Sequence, residues 1–211
     1  MSPRPYRSTV RERAAASTRN AILDAAESLF AEHGYPRVSV SRVAEAAEVA
    51  AGTVYASFGS KAALVVGLME RAAADEAVTR ALAAVDAADS GGQVVALTLA
   101  GAGALLRRHG RAISVLYDNA SADPDIAAAV ERAEALQRER LDGIVARLAD
   151  LGALRAGLAR RDAVRVLEYY AGPPSWRRLR ALGWSGRRAE EWLTDQVSYA
   201  LLGAPGGAAS A

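Results

Sequence analysis

Ser39-Val40-Ser41-Arg42-Val43-Ala44-Glu45-Ala46-Ala47-Glu48-Val49-Ala50-Ala51-Gly52-Thr53-Val54-Tyr55-Ala56-Ser57-Phe58-Gly59-Ser60-Lys61 is the stretch that decides the fold. Two short apolar-periodic segments, Val40/Val43/Ala44/Ala47 and Val54/Phe58, lie a few residues apart and are followed by a fresh helix start at Ser60. That is the pattern of a helix-turn-helix. Ser39 is placed to cap the first helix, its hydroxyl accepting from a backbone N–H one turn on. A complete capping box would carry Glu or Gln three residues later, but Arg42 stands there. A cation in a helix's first turn opposes the macrodipole and suits a nearby anion such as a DNA phosphate. The second helix is expected from about Ala51, with Ala51, Gly52 and Thr53 small enough to approach the floor of a major groove. With Val54 and Phe58 inward, Tyr55 points outward, free to touch a phosphate or a thymine methyl. Lys61, the single lysine among 26 Lys and Arg residues, follows in the first turn of the next helix behind its cap, Ser60.

Around this stretch, further short motifs occur in order: Leu29-Phe30-Ala31-Glu32-His33-Gly34-Tyr35, Val38-Ser39-Val40, Val43-Ala44-Glu45-Ala46-Ala47, Gly52-Thr53-Val54-Tyr55, and Phe58-Gly59-Ser60-Lys61-Ala62-Ala63-Leu64. Over about residues 19 to 66 the chain resembles the DNA-binding domain of the tetracycline-repressor (TetR) family. Two positions depart from that pattern. Glu48 stands where a turn glycine is usual, at a cost on the order of 1 kcal/mol if its φ is positive, and Ala50 stands where a capping serine is common.

Composition narrows the alternatives. The 211 residues, 51% apolar, suffice for a real core in one large or two small domains. Without cysteine there is no disulfide, thiol chemistry or thiolate metal site, which fits a cytoplasmic protein. His33 and His109 are too far apart in sequence to suggest a metal centre, and no cofactor is expected. No signal peptide is expected at the N-terminus, and the near-apolar run from Val94 to Leu106 is too short to span a bilayer, so no membrane partner is expected. No phosphate-cradling loop, zinc pattern or nucleophile-base constellation is present, so the chain does not read as an enzyme. Charge is uneven: residues 155–188 hold nine arginines against Asp162 and Glu168, whereas residues 1–61 hold eight basic and six acidic groups. The basic groups nearest the N-terminus are Arg4, Arg7, Arg11, Arg13 and Arg19, opposed by Glu12 alone up to residue 23.

Taken in order, residues 1–16 read as a flexible basic arm able to lie along a phosphate backbone or in a minor groove. A first helix is expected from Ser17 or Thr18 to Gly34, with Ile22, Ala25, Ala26, Leu29 and Phe30 as its inward stripe. The helix-turn-helix domain spans 17–66. From Ala62 to about Ala88 one Ala-rich helix is expected to connect it to the rest, with Leu64, Val65, Leu68 and Ala72 inward. Asp89-Ser90-Gly91-Gly92 should break it. Gln93 to Leu106 reads as a helix in which Gly101 and Gly103 indicate close packing or room for a small molecule. Ile113 to Tyr117 reads as a short helix, Asp125 to Leu151 as a long one, and Gly172-Pro173-Pro174 as a break. Two final helices, Asp162 to Ala171 and Gly186 onward, are each apolar on more than one face and so need a second partner, most economically the same pair from another copy.

The expected fold is therefore all-α: an N-terminal three-helix helix-turn-helix head plus a C-terminal helical ligand-binding and dimerisation domain over 67–202, with a disordered tail at 203–211. The expected function is a ligand-responsive repressor that binds a pseudo-palindromic operator as a homodimer, half-sites ~34–36 Å apart or modestly more. The repressor sign comes from the resemblance alone. Ser39, Arg42, Ala51, Gly52, Thr53, Tyr55 and Lys61 are the DNA-contacting candidates. Leu105, Tyr117, Gln137, Tyr169 and Trp176 are candidates for a pocket taking an unidentified small-molecule effector, and Val166, Tyr170, Trp192, Gln196, Val197 and Ala200 for the dimer interface. The alternative is a ligand sensor or adaptor that keeps the fold without binding DNA.

Overall fold

Between Tyr6 and His33 the sequence contains neither glycine nor proline, and in the computed structural model, which describes residues 6–203, helix α1 runs unbroken over Tyr6–His33. The expected arm is thus helical from Tyr6 on, and its first five residues lie outside the described ones. The strong helix formers Arg11-Glu12-Arg13-Ala14-Ala15-Ala16 decide the matter over the absence of apolar periodicity. A 3₁₀ turn over Tyr35–Arg37 leads to α2 (Val40–Ala46), α3 (Ala51–Phe58), α4 (Lys61–Ala73), α5 (Glu76–Asp86), α6 (Gly91–Asn119), α7 (Pro124–Asp150), α8 (Arg160–Ala171), α9 (Pro173–Ala181) and α10 (Gly186–Leu202). All regular structure among the described residues is helical. Beyond Gly203, the expected tail lies outside them.

The chain divides into two compact units. The first runs to Arg71 and takes in Arg111–Val130. Its core joins Ile22, Ala26 and Phe30 of α1, Val43 and Ala44 of α2, Val54 of α3, and Leu64, Val65 and Leu68 of α4, and is completed by Leu116 of α6 and Ile126 of α7. Each large side chain so buried contributes about 1.5–3 kcal/mol. Arg71 closes this unit with ion pairs to Asp24 and Glu27 on α1.

The second unit comprises Ala72–Gly110 and the chain from Glu131. Val85, Val94, Leu99, Leu148, Leu167, Leu193, Val197 and Leu201 lie at the centre of its core. Two expectations change here. The single helix expected over 62–88 is divided at Asp75, whose carboxylate accepts from the Ala77 N–H at 2.8 Å and so caps a new helix. The two helices expected over 93–117 are one, because Gly110 makes no break in α6. Gly101 and Gly103 are packing glycines: a Cβ at Gly103 would meet Trp176 Cη2 at 2.9 Å and Glu190 Oε2 at 2.6 Å. Pro173, expected as a stop, is both the break and the first residue of α9, where its missing N–H is harmless.

Candidate nucleic-acid interface

Ser39 caps α2 as its sequence position suggests, its Oγ accepting from the Arg42 N–H at 3.2 Å. The exposed Arg42 guanidinium donates to His33 Nε2 at 2.8 Å, which makes that nitrogen an acceptor and places the ring proton on Nδ1. α2 then ends in a Schellman turn. Glu48 N–H donates to Glu45 O at 3.1 Å, Val49 N–H donates to Ala44 O at 2.9 Å, and Val49 packs on the core. Glu48 takes φ 54°, the left-handed conformation that glycine would adopt freely. Ala50 precedes α3 in an extended conformation and offers no side-chain cap, so Ala51 and Gly52 begin the helix with bare backbone.

The recognition helix α3 buries Val54 and leaves Gly52 exposed, with no atom within 4 Å of where a Cβ would stand. Thr53 is half-buried, and Tyr55 points outward, 54% exposed. The far end of α3 is held by Arg19, which the sequence did not single out. Its Nη1 donates to Ser57 O at 2.8 Å, and its guanidinium lies 4.0 Å over the Phe58 ring. Nothing in its local pattern separates Arg19 from its basic neighbours, since its partner is 38 residues away.

Ser60 Oγ accepts from the Ala63 N–H at 3.0 Å, capping α4 as expected. Lys61 is more constrained than its sequence position suggests. Its ammonium donates to Tyr35 O at 3.0 Å and lies 4.2 Å over the Tyr35 ring, which leaves two of its three donors for a phosphate. Tyr35 in turn donates its phenol to Asp123 Oδ2 at 3.2 Å. Burial, then the charge of Asp123 and this hydrogen bond, push the Tyr35 phenol up to about 12. Asp123 Oδ1 also accepts from the Asp125 N–H at the start of α7.

The pocket and interface candidates lie in the second unit except for Tyr117. Leu105 and Gln137 are half-buried and Trp176 is buried, its indole N–H without an acceptor among the described residues. Tyr169 is 71% exposed, and Tyr117 packs against the core of the first unit. Among the interface candidates, Trp192 is exposed and Val166, Tyr170, Gln196 and Ala200 are half-buried. Val197 is wholly buried in its own core: Leu193, Val197 and Leu201, four residues apart in succession, form the inner stripe, and Trp192, Gln196 and Ala200 the one beside it. Tyr199, 67% exposed, was not anticipated. Nor was the cluster at Asp75, which accepts from Arg108 at 2.6 Å and from His109 Nε2 at 2.8 Å. The bond from His109, then those from Ala77 and Arg108, hold its carboxyl well below the usual carboxylate range.

A capped first helix, a tight turn and a second helix with an open, small-residue N-terminus define a helix-turn-helix DNA-binding protein. Residues 22–68 match the family model of the bacterial regulatory proteins of the tetR family. No curated protein sequence matches it. Among solved structures it is similar to native NalD, the secondary repressor of the MexAB-OprM multidrug efflux pump in Pseudomonas aeruginosa, at 27% identity and TM-score 0.70, covering 89% of this chain and 98% of that one. SmeT of Stenotrophomonas maltophilia, in complex with triclosan, follows at 20% identity and TM-score 0.70, covering 88% and 92%. FadR from Bacillus subtilis, in complex with stearoyl-CoA, is 21% identical with TM-score 0.71, covering 85% and 97%. The last two likenesses speak to fold alone. The chain is a DNA-binding transcriptional regulator. Among the described residues no single helix is long and apolar enough to cross a membrane.

Proposed function

We propose that the protein is a ligand-responsive repressor that binds a pseudo-palindromic operator as a homodimer and releases it when a small organic effector occupies the second unit. The observation that carries this reading is the outward face of α3, where Gly52 stands open and Tyr55 is 54% exposed beside a helix start free of bulky side chains. Ser39, Arg42, Tyr55 and Lys61 position the head on phosphates, while Ala51, Gly52 and Thr53 approach base edges. NalD and SmeT, both repressors of multidrug efflux pumps, support the repressor sign. The triclosan held by SmeT and the stearoyl-CoA held by FadR support a small organic effector. The unpaired indole N–H of Trp176 would donate to an acceptor on it. Exposed Tyr169, Trp192 and Tyr199 on α8 and α10 support pairing with a second copy. By linkage the effector must bind two states unequally, and DNA must weaken its binding by the same factor.

The test is salt-titrated fluorescence anisotropy on the DNA flanking the protein's own gene, with native protein and Tyr55→Ala. Specific binding that Tyr55→Ala weakens, together with release by an effector, supports the reading. Absence of specific binding anywhere in the genome would leave the adaptor alternative standing.

A further inference from the structure

Arg147 closes the end of a helix and keeps a charge that no carboxylate answers. Its Nη2 donates to Ala88 O at 2.7 Å, just past the last turn of α5, a common use of a cation at a helix C-terminus. That bond takes one of the five guanidinium donors. Nε is buried without a partner, and Arg147 has no ion pair among the described residues. Two turns back on the same face of α7, Arg140 repeats the arrangement. Its Nη2 donates to the carbonyl of Ala73, the last residue of α4, at 3.1 Å, again with no carboxylate, and burial holds it below the usual arginine range. A cation taken out of water is costly until an opposite charge pairs with it.

The other polar groups of the second unit narrow what that charge could be. Among the described residues, the buried side-chain atoms without hydrogen-bond partners are Arg147 Nε, Trp176 Nε1 and Ser198 Oγ. Two of these can only donate and the third can donate, so they suit a molecule that carries acceptors. The half-buried carboxylates are already engaged: Asp75 with Arg108 and His109, Asp162 with Arg165, Glu168 with Arg138, Glu190 with Arg107, while Glu134 lies in the field of Arg138. A cationic ligand would have to break one of these pairs. An anionic one finds Arg147 unclaimed. The surroundings are aliphatic, since Ala88 belongs to the same core as Val85 and Leu148. The helix that leads into Ala88 is also lightly held. Val85 is the one buried residue of α5, which meets α6 through small groups, Ala81 against Gly101. An element with so few buried contacts opens readily.

We propose that the effector of the second unit is an apolar monocarboxylic acid, admitted as α5 lifts, whose carboxylate pairs with Arg147 and whose body lies against the aliphatic core. This rests on the reading of the second unit as an effector-binding one and adds the chemical class, an anion with a hydrophobic body. Sharing one guanidinium between the acid and Ala88 O ties occupancy of the site to the position of α5.

The experiment titrates full-length protein calorimetrically with octanoate beside octanamide, 2-naphthoate beside 2-naphthamide, and octyltrimethylammonium, in native, Arg147→Met and Arg147→Lys forms. In the native protein at least one carboxylate should bind roughly tenfold tighter than its amide, the margin of a charge-assisted over a neutral hydrogen bond. Arg147→Met should bring that ratio to about one while leaving the amide's affinity unchanged, and Arg147→Lys, which keeps the charge, should retain part of it. A carboxylate bound no tighter than its amide, a preference that survives in Arg147→Met, tighter binding of the ammonium, or no binding of any probe would each overturn the proposal. The same probes are then added to the DNA complex. A carboxylate that binds through Arg147 and leaves DNA bound upholds the site and overturns the ligand-responsive reading. Release by the amide or the ammonium, without a carboxylate preference, does the reverse. Thermal melting of the three forms checks that Arg147→Met remains folded, and the methionine form's unchanged amide affinity checks the site itself.

Discussion

Both units bury an aliphatic core under helices, but they use their polar and aromatic side chains differently. In the first, Ser39, Ser60 and Asp123 cap the starts of α2, α4 and α7, Arg19 ties α1 to the end of α3 and Lys61 ties α4 to the 3₁₀ turn, while the N-terminal part of α3 stays small and open. In the second, the long-range pairs Arg107–Glu190 and Arg138–Glu168 run along helix sides, and the surface of α8 and α10 is aromatic. One arrangement presents backbone and a few polar groups to a hydrated, charged polymer. The other is suited to removing apolar area from water against another surface.

The largest expected effect separates the two units by stability. Phe30→Ala removes a side chain 2% exposed in the first core and should destabilise that unit by about 3–5 kcal/mol. All three tryptophans, Trp176, Trp184 and Trp192, lie in the second unit, so DNA binding and helicity should fall while tryptophan emission keeps its native denaturant midpoint. If the emission midpoint moves by a similar amount, the units unfold as one and the contrast in stability fails.

Trp192→Glu places a charge in the aromatic surface of α10. It should weaken self-association by about 2 kcal/mol or more, read by sedimentation, without lowering the melting point of the dilute protein. Next in size is Lys61→Ala, which removes the bond to Tyr35 O and the cation over its ring. A loss of about 1–2 kcal/mol in head stability, beyond any effect on DNA, would show that a proposed phosphate ligand is also a brace. Glu48→Gly has the opposite sign: relieving a left-handed glutamate should stabilise the head by about 1 kcal/mol, and loss of its negative charge should strengthen DNA binding slightly.

The smallest effects lie at the extremes of pH, and they fall on opposite limbs. The Tyr35 phenol is raised, so the native head favours its neutral form. The stability this contributes is present below pH 10 and lost as pH climbs from 10 through about 12. Tyr35→Phe should therefore flatten the alkaline limb of first-unit stability. Asp75 is held below the carboxylate range, so its contribution is present above the ordinary aspartate pKa and lost as pH falls below it. Asp75→Asn should remove that part of the acid limb in the second unit.

What was legible in the sequence follows the range of the interactions. Ser39, Ser60 and the outward Tyr55 could be read because a cap or a helix face is decided within a turn of the residue itself. The left-handed Glu48 was readable as the occupant of a glycine position. Arg19, the Tyr35–Asp123 bond and the Asp75 cluster were not legible, since their partners stand 38, 88 and 34 residues away. Asp75 could have been found by its own chemistry, an aspartate followed by Glu76 within an alanine run, but alanine propensity alone argues for a continuous helix. Val197 shows the limit of face assignment, because the core stripe and the stripe beside it differ by a single residue in register.

The lone lysine has a practical consequence. Because Lys61 Nζ is bonded to Tyr35 O and covered by its ring, the sole side-chain amine of the protein is also the clasp between the 3₁₀ turn and α4. Acylating reagents, which attack the free amine, would thus find one side-chain reporter in the whole chain. Its labelling rate would follow the opening of that clasp, on and off DNA, without any engineered probe.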